Sequence, residues 1–139
     1  PMEWLPDSTA RGMRALRMFV ETMLESSNEH SNDRLLRGLG ASTGSYEGTA
    51  RVVYGPEDFS RIQKGDVLVT EATSPAFNVV LPLLGGVVTD NGGVLSHAAI
   101  VSREFGIPGV VGCNDATKHI QDGTSVVIDG AKGTVRIVP

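Results

Sequence analysis

The sequence predicts an α/β domain with a mixed sheet. Three observations carry this. Short β-branched runs, Val67-Leu68-Val69, Gly86-Val87-Val88 and Gly109-Val110-Val111, read as buried strands. Between them lie stretches with helix start and stop signals, at residues 74–84 and 96–106. The chain closes on two strand-like runs, 124–129 and 134–138, around the turn Gly130-Ala131-Lys132-Gly133. Strands alternating with helices argue α/β, and the closing hairpin makes the sheet mixed.

Residues 1–33 differ from the rest. Asp7 or Ser8 would cap a helix running to about Ser26, with Met13, Leu16, Val20, Met23 and Leu24 at helical spacing and Phe19 beside them. The plain reading is a packing or solvated helix. The alternative is that its apolar stripe covers a neighbouring domain or a second copy, so an oligomer is compatible with it. Residues 26–33 are polar and read as a linker or exposed turn. Fully extended they span about 26–29 Å. The expected division is residues 1–33 as an N-terminal helix and linker, a remnant of or connection to a preceding domain, and residues 34–139 as the main domain.

From Arg34 the pattern turns to strands and tight turns. Gly40-Ala41-Ser42-Thr43-Gly44 is turn-like, and residues 48–53 form a strand with glycine punctuation. Residues 57–62 suit a short helix or turn, and residues 66–70 a strong strand. Ser74-Pro75 opens a helix expected to run to about Leu84, with Pro82 bending or ending it. After the strand at Val87, Asn91-Gly92-Gly93 is turn chemistry. Ser96 caps the next helix, Gly106 is its C′ residue and Pro108 stops it. Residues 109–112 are a further buried strand, and residues 116–120 a short helix.

Composition narrows the function. The chain has 139 residues, enough for one domain with a sizeable core. Twelve basic residues against 16 acidic ones give a net charge of −4 and no basic stripe, so no nucleic-acid partner is expected. No apolar run reaches membrane-spanning length, the start is not a signal peptide, and no membrane partner is expected. Cys113 is the single cysteine. An internal disulfide or a cysteine zinc site is therefore excluded, no metal site is expected, and a cytoplasmic location fits.

The chemistry centres on His97. It falls in the first turn of the helix capped by Ser96, where backbone N–H groups are unpaired and the dipole is positive. A phosphoryl group on that imidazole would meet those donors directly. Gly92 and Gly93 let backbone approach a ligand closely, and Ala98 and Ala99 make a small, packable first turn. A neutral imidazole is nucleophilic near pH 7, because its unperturbed pKa is about 6.5. His30, in the polar stretch, and His119, near a short helix and Asp122, are expected to be ordinary surface or core groups. Ser96 has no general base at a diagnostic spacing. Arg103, six residues after His97, either reaches a phosphate or pairs with a carboxylate. Asp90 and Glu104 do not make an acid–base pair. Cys113 reads as packing.

The residues Gly92-Gly93, Ser96-His97-Ala98-Ala99, Arg103-Glu104, Gly106-Ile107-Pro108 and Val110-Val111-Gly112 together resemble the phosphoenolpyruvate-utilising mobile domain, or phosphohistidine swivelling domain. It occurs in phosphoenolpyruvate synthase, pyruvate phosphate dikinase, the first enzyme of the sugar phosphotransferase system and rifamycin phosphotransferases. The likeness extends more weakly from about Leu39 to Val138. It implies a three-layer β/β/α swivelling phosphohistidine domain, here with an added N-terminal helix. It also implies that His97 is phosphorylated, on Nε2, and hands the phosphoryl group on.

By that resemblance Gly92, Gly93, Ser96, Ala98, Ala99, Thr73, Ser74 and Arg103 support the phosphate seat. Thr73 and Ser74 stand where the family carries a hydroxyl before a proline; helix capping is their local alternative. Thr43 stands where the family usually has proline, which loosens one turn. Leu95 replaces the threonine of many dikinases, so regulation by phosphorylation there does not carry over, and the pattern sits closer to the synthase-like and rifamycin-phosphotransferase-like branches.

The resemblance places Mg²⁺ and ATP on an ATP-grasp nucleotide-binding domain and the acceptor on a further domain. No cofactor is expected on this domain alone. The chain holds no Walker-type loop and has no room for those domains, so it reads as a piece of a larger phosphotransferase, inactive by itself. The acceptor would be pyruvate in a synthase or dikinase and a rifamycin-like hydroxyl in a drug phosphotransferase. A non-catalytic interaction module is the third reading, and the retained His97 argues against it.

Overall fold

The computed structural model describes residues 34–138. The helix expected before residue 26, the polar stretch 26–33 and His30 lie outside them. The strands are β1 (Arg34–Arg37), β2 (Leu39–Ser42), β3 (Ser45–Val52), β4 (Val67–Thr70), β5 (Gly86–Thr89), β6 (Gly109–Val111), β7 (Ser125–Asp129) and β8 (Thr134–Val138). The α-helices are α1 (His97–Phe105) and α2 (Ala116–His119).

All eight strands join in the order β1-β8-β7-β3-β4-β5-β6-β2. β3 serves two neighbours in turn. Its first part, from Ser45 opposite Asp129 to Thr49 opposite Ser125, pairs antiparallel with β7. Its last part, from Ala50 opposite Val67, pairs parallel with β4. β4, β5 and β6 continue parallel, and β7 and β8 form the expected hairpin. The sheet is therefore mixed, with three parallel and four antiparallel pairings, and β3 takes part in both kinds.

Two cores follow from the alternation of strand side chains. Val67, Val69, Val88 and Val110 meet Val126, Ile128 and Val135 of the antiparallel part. Leu68, Val87 and Val111 point the other way, against Ala98, Ala99 and Val101 of α1 and against Phe77, Val80 and Leu81. Sheet on sheet, then helix on sheet, makes three layers, β/β/α. β4 and β5 are buried on both faces, which is why they read as continuous apolar runs rather than alternating ones. Each valine so buried contributes about 1.5–3 kcal/mol relative to exposure.

The two edge strands are consecutive in sequence. β1 pairs with β8 and β2 with β6, with only Gly38 between them. The Gly38 N–H donates to Gly133 O at 2.8 Å. A Cβ at Gly38 would lie 2.5 Å from Val111 O, so only glycine allows this crossing. These short strands had no clear signal; the turn-like composition of residues 40–44 hid β2.

A helical segment also differs from the sequence reading. Residues 74–84 do not form a single α-helix but two 3-10 helices, Pro75–Val79 and Leu81–Leu83. Pro82 has no N–H to give an α-helical bond and its ring would clash with the preceding turn, so the segment breaks at Val80. Residues 57–62 are likewise a 3-10 helix, Pro56–Arg61.

At the end of the sheet where β4 begins, Asp122 accepts from Val52 N at 2.7 Å and Arg61 Nη1 at 3.0 Å, and Arg51 Nε donates to Asp66 at 3.0 Å. Burial works against the charge on Asp122, yet these donors outweigh it and hold its carboxyl below the usual value. Among the described residues no helix is long and apolar enough to cross a membrane.

Candidate functional site

The site forms at the opposite end, where parallel strands finish. β4 runs out at Thr70 and β5 at Thr89, side by side. Parallel neighbours bring their following loops to one edge, so the segments 71–74 and 90–96 face each other there. Crevices at the carboxyl ends of such strands are where open α/β sheets bind ligands.

The loop after β5 is shaped by its own residues. Gly92 has φ +110°, and a Cβ there would sit 2.9 Å from Ser96 Oγ. Ser96 Oγ donates to Gly93 O at 2.7 Å and accepts from Ala99 N at 3.3 Å, capping α1 as the sequence predicts. His97 is the first helical residue and is half-buried. Ala98 and Ala99 are buried against the sheet, and their small side chains let α1 lie close on it. The helix ends at Gly106 in the left-handed conformation, whose N–H reaches back to Arg103 O while Ile107 N reaches Ser102 O.

Thr73 comes from the other loop. Its Oγ1 lies 2.8 Å from His97 Nδ1. That leaves Nε2 as the ring nitrogen without this partner. Space opens beside the turn: a Cβ on Gly93 would meet nothing within 4 Å. Val94 and Leu95 project outward, 52 % and 82 % exposed.

Other candidates fall elsewhere. Ser74 is exposed and starts the 3-10 helix Pro75–Val79 without a side-chain cap bond. Arg103 donates to two carbonyls, Ala41 O at 3.1 Å and Val94 O at 2.8 Å. His119 ends α2 and is exposed. Cys113 is buried in the inter-sheet core, and burial, with the Asp90 charge adding, pushes its thiol up to about 12.

Asp90, which sequence reasoning left without a role, is buried and accepts from Thr117 N at 2.9 Å and Thr117 Oγ1 at 2.6 Å. It ties the end of β5 to α2; no local pattern marks a partner so distant in sequence. A polar cleft of about 390 Å³ opens beside it, lined by Glu71, Asp90, Asn91 and Asp115 among others. Its carboxylates Glu71, Asp90 and Asp115 outnumber its one ammonium, Lys118, so it suits an anion less than the helix start at His97 does. Among the described residues no group of three or more His, Cys, Asp or Glu side chains converges to hold a metal ion.

Fold and site define an α/β domain that presents one histidine at the start of a helix. Residues 62–133 match the family described as PEP-utilising enzyme, mobile domain, and the chain belongs to that family. It is 45% identical over 111 residues to a "Probable phosphoenolpyruvate synthase" of Archaeoglobus fulgidus, covering 80% of this chain and 15% of that protein. It is 33% identical over 135 residues to an "Uncharacterized phosphotransferase YvkC" of Bacillus subtilis, covering 97% of this chain and 16% of that one. The solution structure of Enzyme I (nEIt) superposes with a TM-score of 0.51 at 31% identity, over 58% of this chain and 34% of the other. The chain thus spans a small part of the length of each curated relative.

Proposed function

We propose that the chain is the mobile phosphocarrier domain of a larger phosphoenolpyruvate-synthase-like phosphotransferase, and that His97 is its phosphorylated residue. The observation that carries this is the 2.8 Å contact between Thr73 Oγ1 and His97 Nδ1. An imidazole that donates Nδ1–H to the threonine oxygen keeps its lone pair on Nε2, the nucleophilic form. The Nε2 lone pair attacks the phosphorus and the bond from phosphorus to its leaving oxygen breaks. The positive charge gained by the ring is shared with Nδ1–H, which Thr73 holds. Delivery reverses the step: an acceptor oxygen attacks the phosphorus, and the P–N bond returns its electrons to Nε2.

The remaining parts of the reading have supporting roles. The free N–H groups at the start of α1, the open space at Gly93 and the cap by Ser96 suit a phosphate seat. The phosphoryl donor, ATP with Mg²⁺ or phosphoenolpyruvate, would be held by partner domains, an ATP-grasp domain and an acceptor domain for a substrate such as pyruvate. The small share of each relative that this chain covers leaves room for them.

The test uses the full parent protein with Mg²⁺ and ATP labelled on the β-phosphate, which the family's ATP-dependent members pass to histidine. Acid-labile, base-stable label mapping to His97, and lost in His97→Ala with folding intact, is the expected result. Label retained in that variant overturns the reading.

A further inference from the structure

Arg103 bridges two segments far apart in sequence, and neither of its partners is a carboxylate. Its Nη1 donates to Ala41 O and its Nη2 to Val94 O. Among the described residues its charge enters no ion pair. We propose that Arg103 is a positioning residue for phosphoryl transfer, clamping the turn that carries His97 to the edge strand β2. This rests on the phosphocarrier reading of His97.

The turn needs such a clamp. Val94 and Leu95 are largely exposed, so their side chains bury too little to fix where the turn lies. The bonds made by Ser96 to Gly93 and Ala99 set the turn's own shape and tie its end to α1, but they reach no strand. The Thr89 hydroxyl, donating to Asn91 O, and the Asn91 N–H, donating to Glu71 O at 3.0 Å, hold its beginning. The Thr73 contact holds the His97 ring at its end, and between the two Arg103 holds its middle, at Val94 O. Side chains on a helix lean toward its N-terminus, so a long one near the end of α1 reaches back past the first turn.

The other anchor is prepared for it. The β2–β6 register slips between Gly40 and Ser42, so Ala41 sits in a bulge. Its side chain is in the core, while its carbonyl meets the guanidinium. Two carbonyls in different directions need a planar fork; a lysine ammonium on a flexible stem holds such a pair less rigidly.

Arg103→Met and Arg103→Lys in the full parent protein test this. Three quantities are read: the rate of label transfer to His97 at saturating donor, the KM for the donor, and amide hydrogen exchange. In Arg103→Met the rate is expected to fall at least about tenfold, since sub-ångström placement governs in-line attack. KM is expected to hold, exchange to rise at residues 94–97 but not in β4 or β5, and Arg103→Lys to fall between. An unchanged rate and unchanged exchange in a folded Arg103→Met overturn the proposal. So does a uniform rise in exchange over β2, β6 and α1 with a normal rate per folded molecule, which marks a purely structural role. Wild-type protein that takes no label at His97 defeats the phosphocarrier reading instead, and with it the transfer role of Arg103.

Discussion

Thr73 and His97 stand 24 residues apart and touch at 2.8 Å, joining the loops that follow two neighbouring parallel strands. The contact engages Nδ1 and leaves Nε2 without this partner. Thr73→Val keeps the shape and removes the oxygen. Labelled transfer is expected to fall about 10–100-fold while folding persists, and Thr73→Ser to restore most of it. Nitrogen NMR of the ring checks the cause: the variant should show a changed tautomer balance, and an unchanged one would detach Thr73 from the chemistry.

The two glycines of the turn separate in their effects. Gly92→Ala forces a side chain onto φ +110° against Ser96, and is expected to cost about 1–3 kcal/mol in denaturant unfolding. Gly93→Ala meets no atom within 4 Å and should leave stability within about 0.5 kcal/mol. Its methyl group would nonetheless enter the space assigned to phosphate, so label uptake should drop. Full uptake in Gly93→Ala would move the seat elsewhere.

Asp122 makes stability depend on acid. Its folded pKa lies below the ordinary 3.8, because Val52 N–H, Arg61 and Arg51 together outweigh its burial. The stabilisation is therefore complete above that ordinary value and is lost as pH falls through the folded one. Asp122→Asn should weaken the fold at neutral pH, and the two unfolding curves should converge at the acid end. The carboxylate is 40 % exposed, so solvent screening limits the difference. Parallel curves across the range would contradict this account.

Cys113 should be inert. Its thiol is pushed up to about 12, so at pH 8 almost none is thiolate. Reaction with a thiol reagent in the native protein is expected on the order of 1,000-fold slower than in denaturant. Equal rates in both conditions would mean that the inter-sheet core opens readily around it.

Local chemistry was legible where it fixed local geometry. Ser96, Gly106 and Pro108 bounded α1, and the valine runs gave β4, β5 and β6, because caps and buried strands leave short-range marks. The placement of His97 at a helix start followed from them. The segment 74–84 was misjudged because Pro75 permits a helical start of either kind, and Pro82 settles the matter only through the turn before it. β1 and β2 were obscure because edge strands this short are held by partners distant in the chain. The partners of Arg103 were invisible for the same reason: Ala41 lies 62 residues away, and no spacing rule brings it near.

Arg34 and Ile137 are register partners, so the first and last strands of the described domain lie side by side. Any polypeptide joined before the one and after the other departs from a single corner. A body attached at one corner behaves as a pendulum: it can sweep through a wide arc without stretching its own sheet. The same arrangement makes it a cassette. It can be spliced into a loop of a host protein whose ends already sit close together, with little demand on the host.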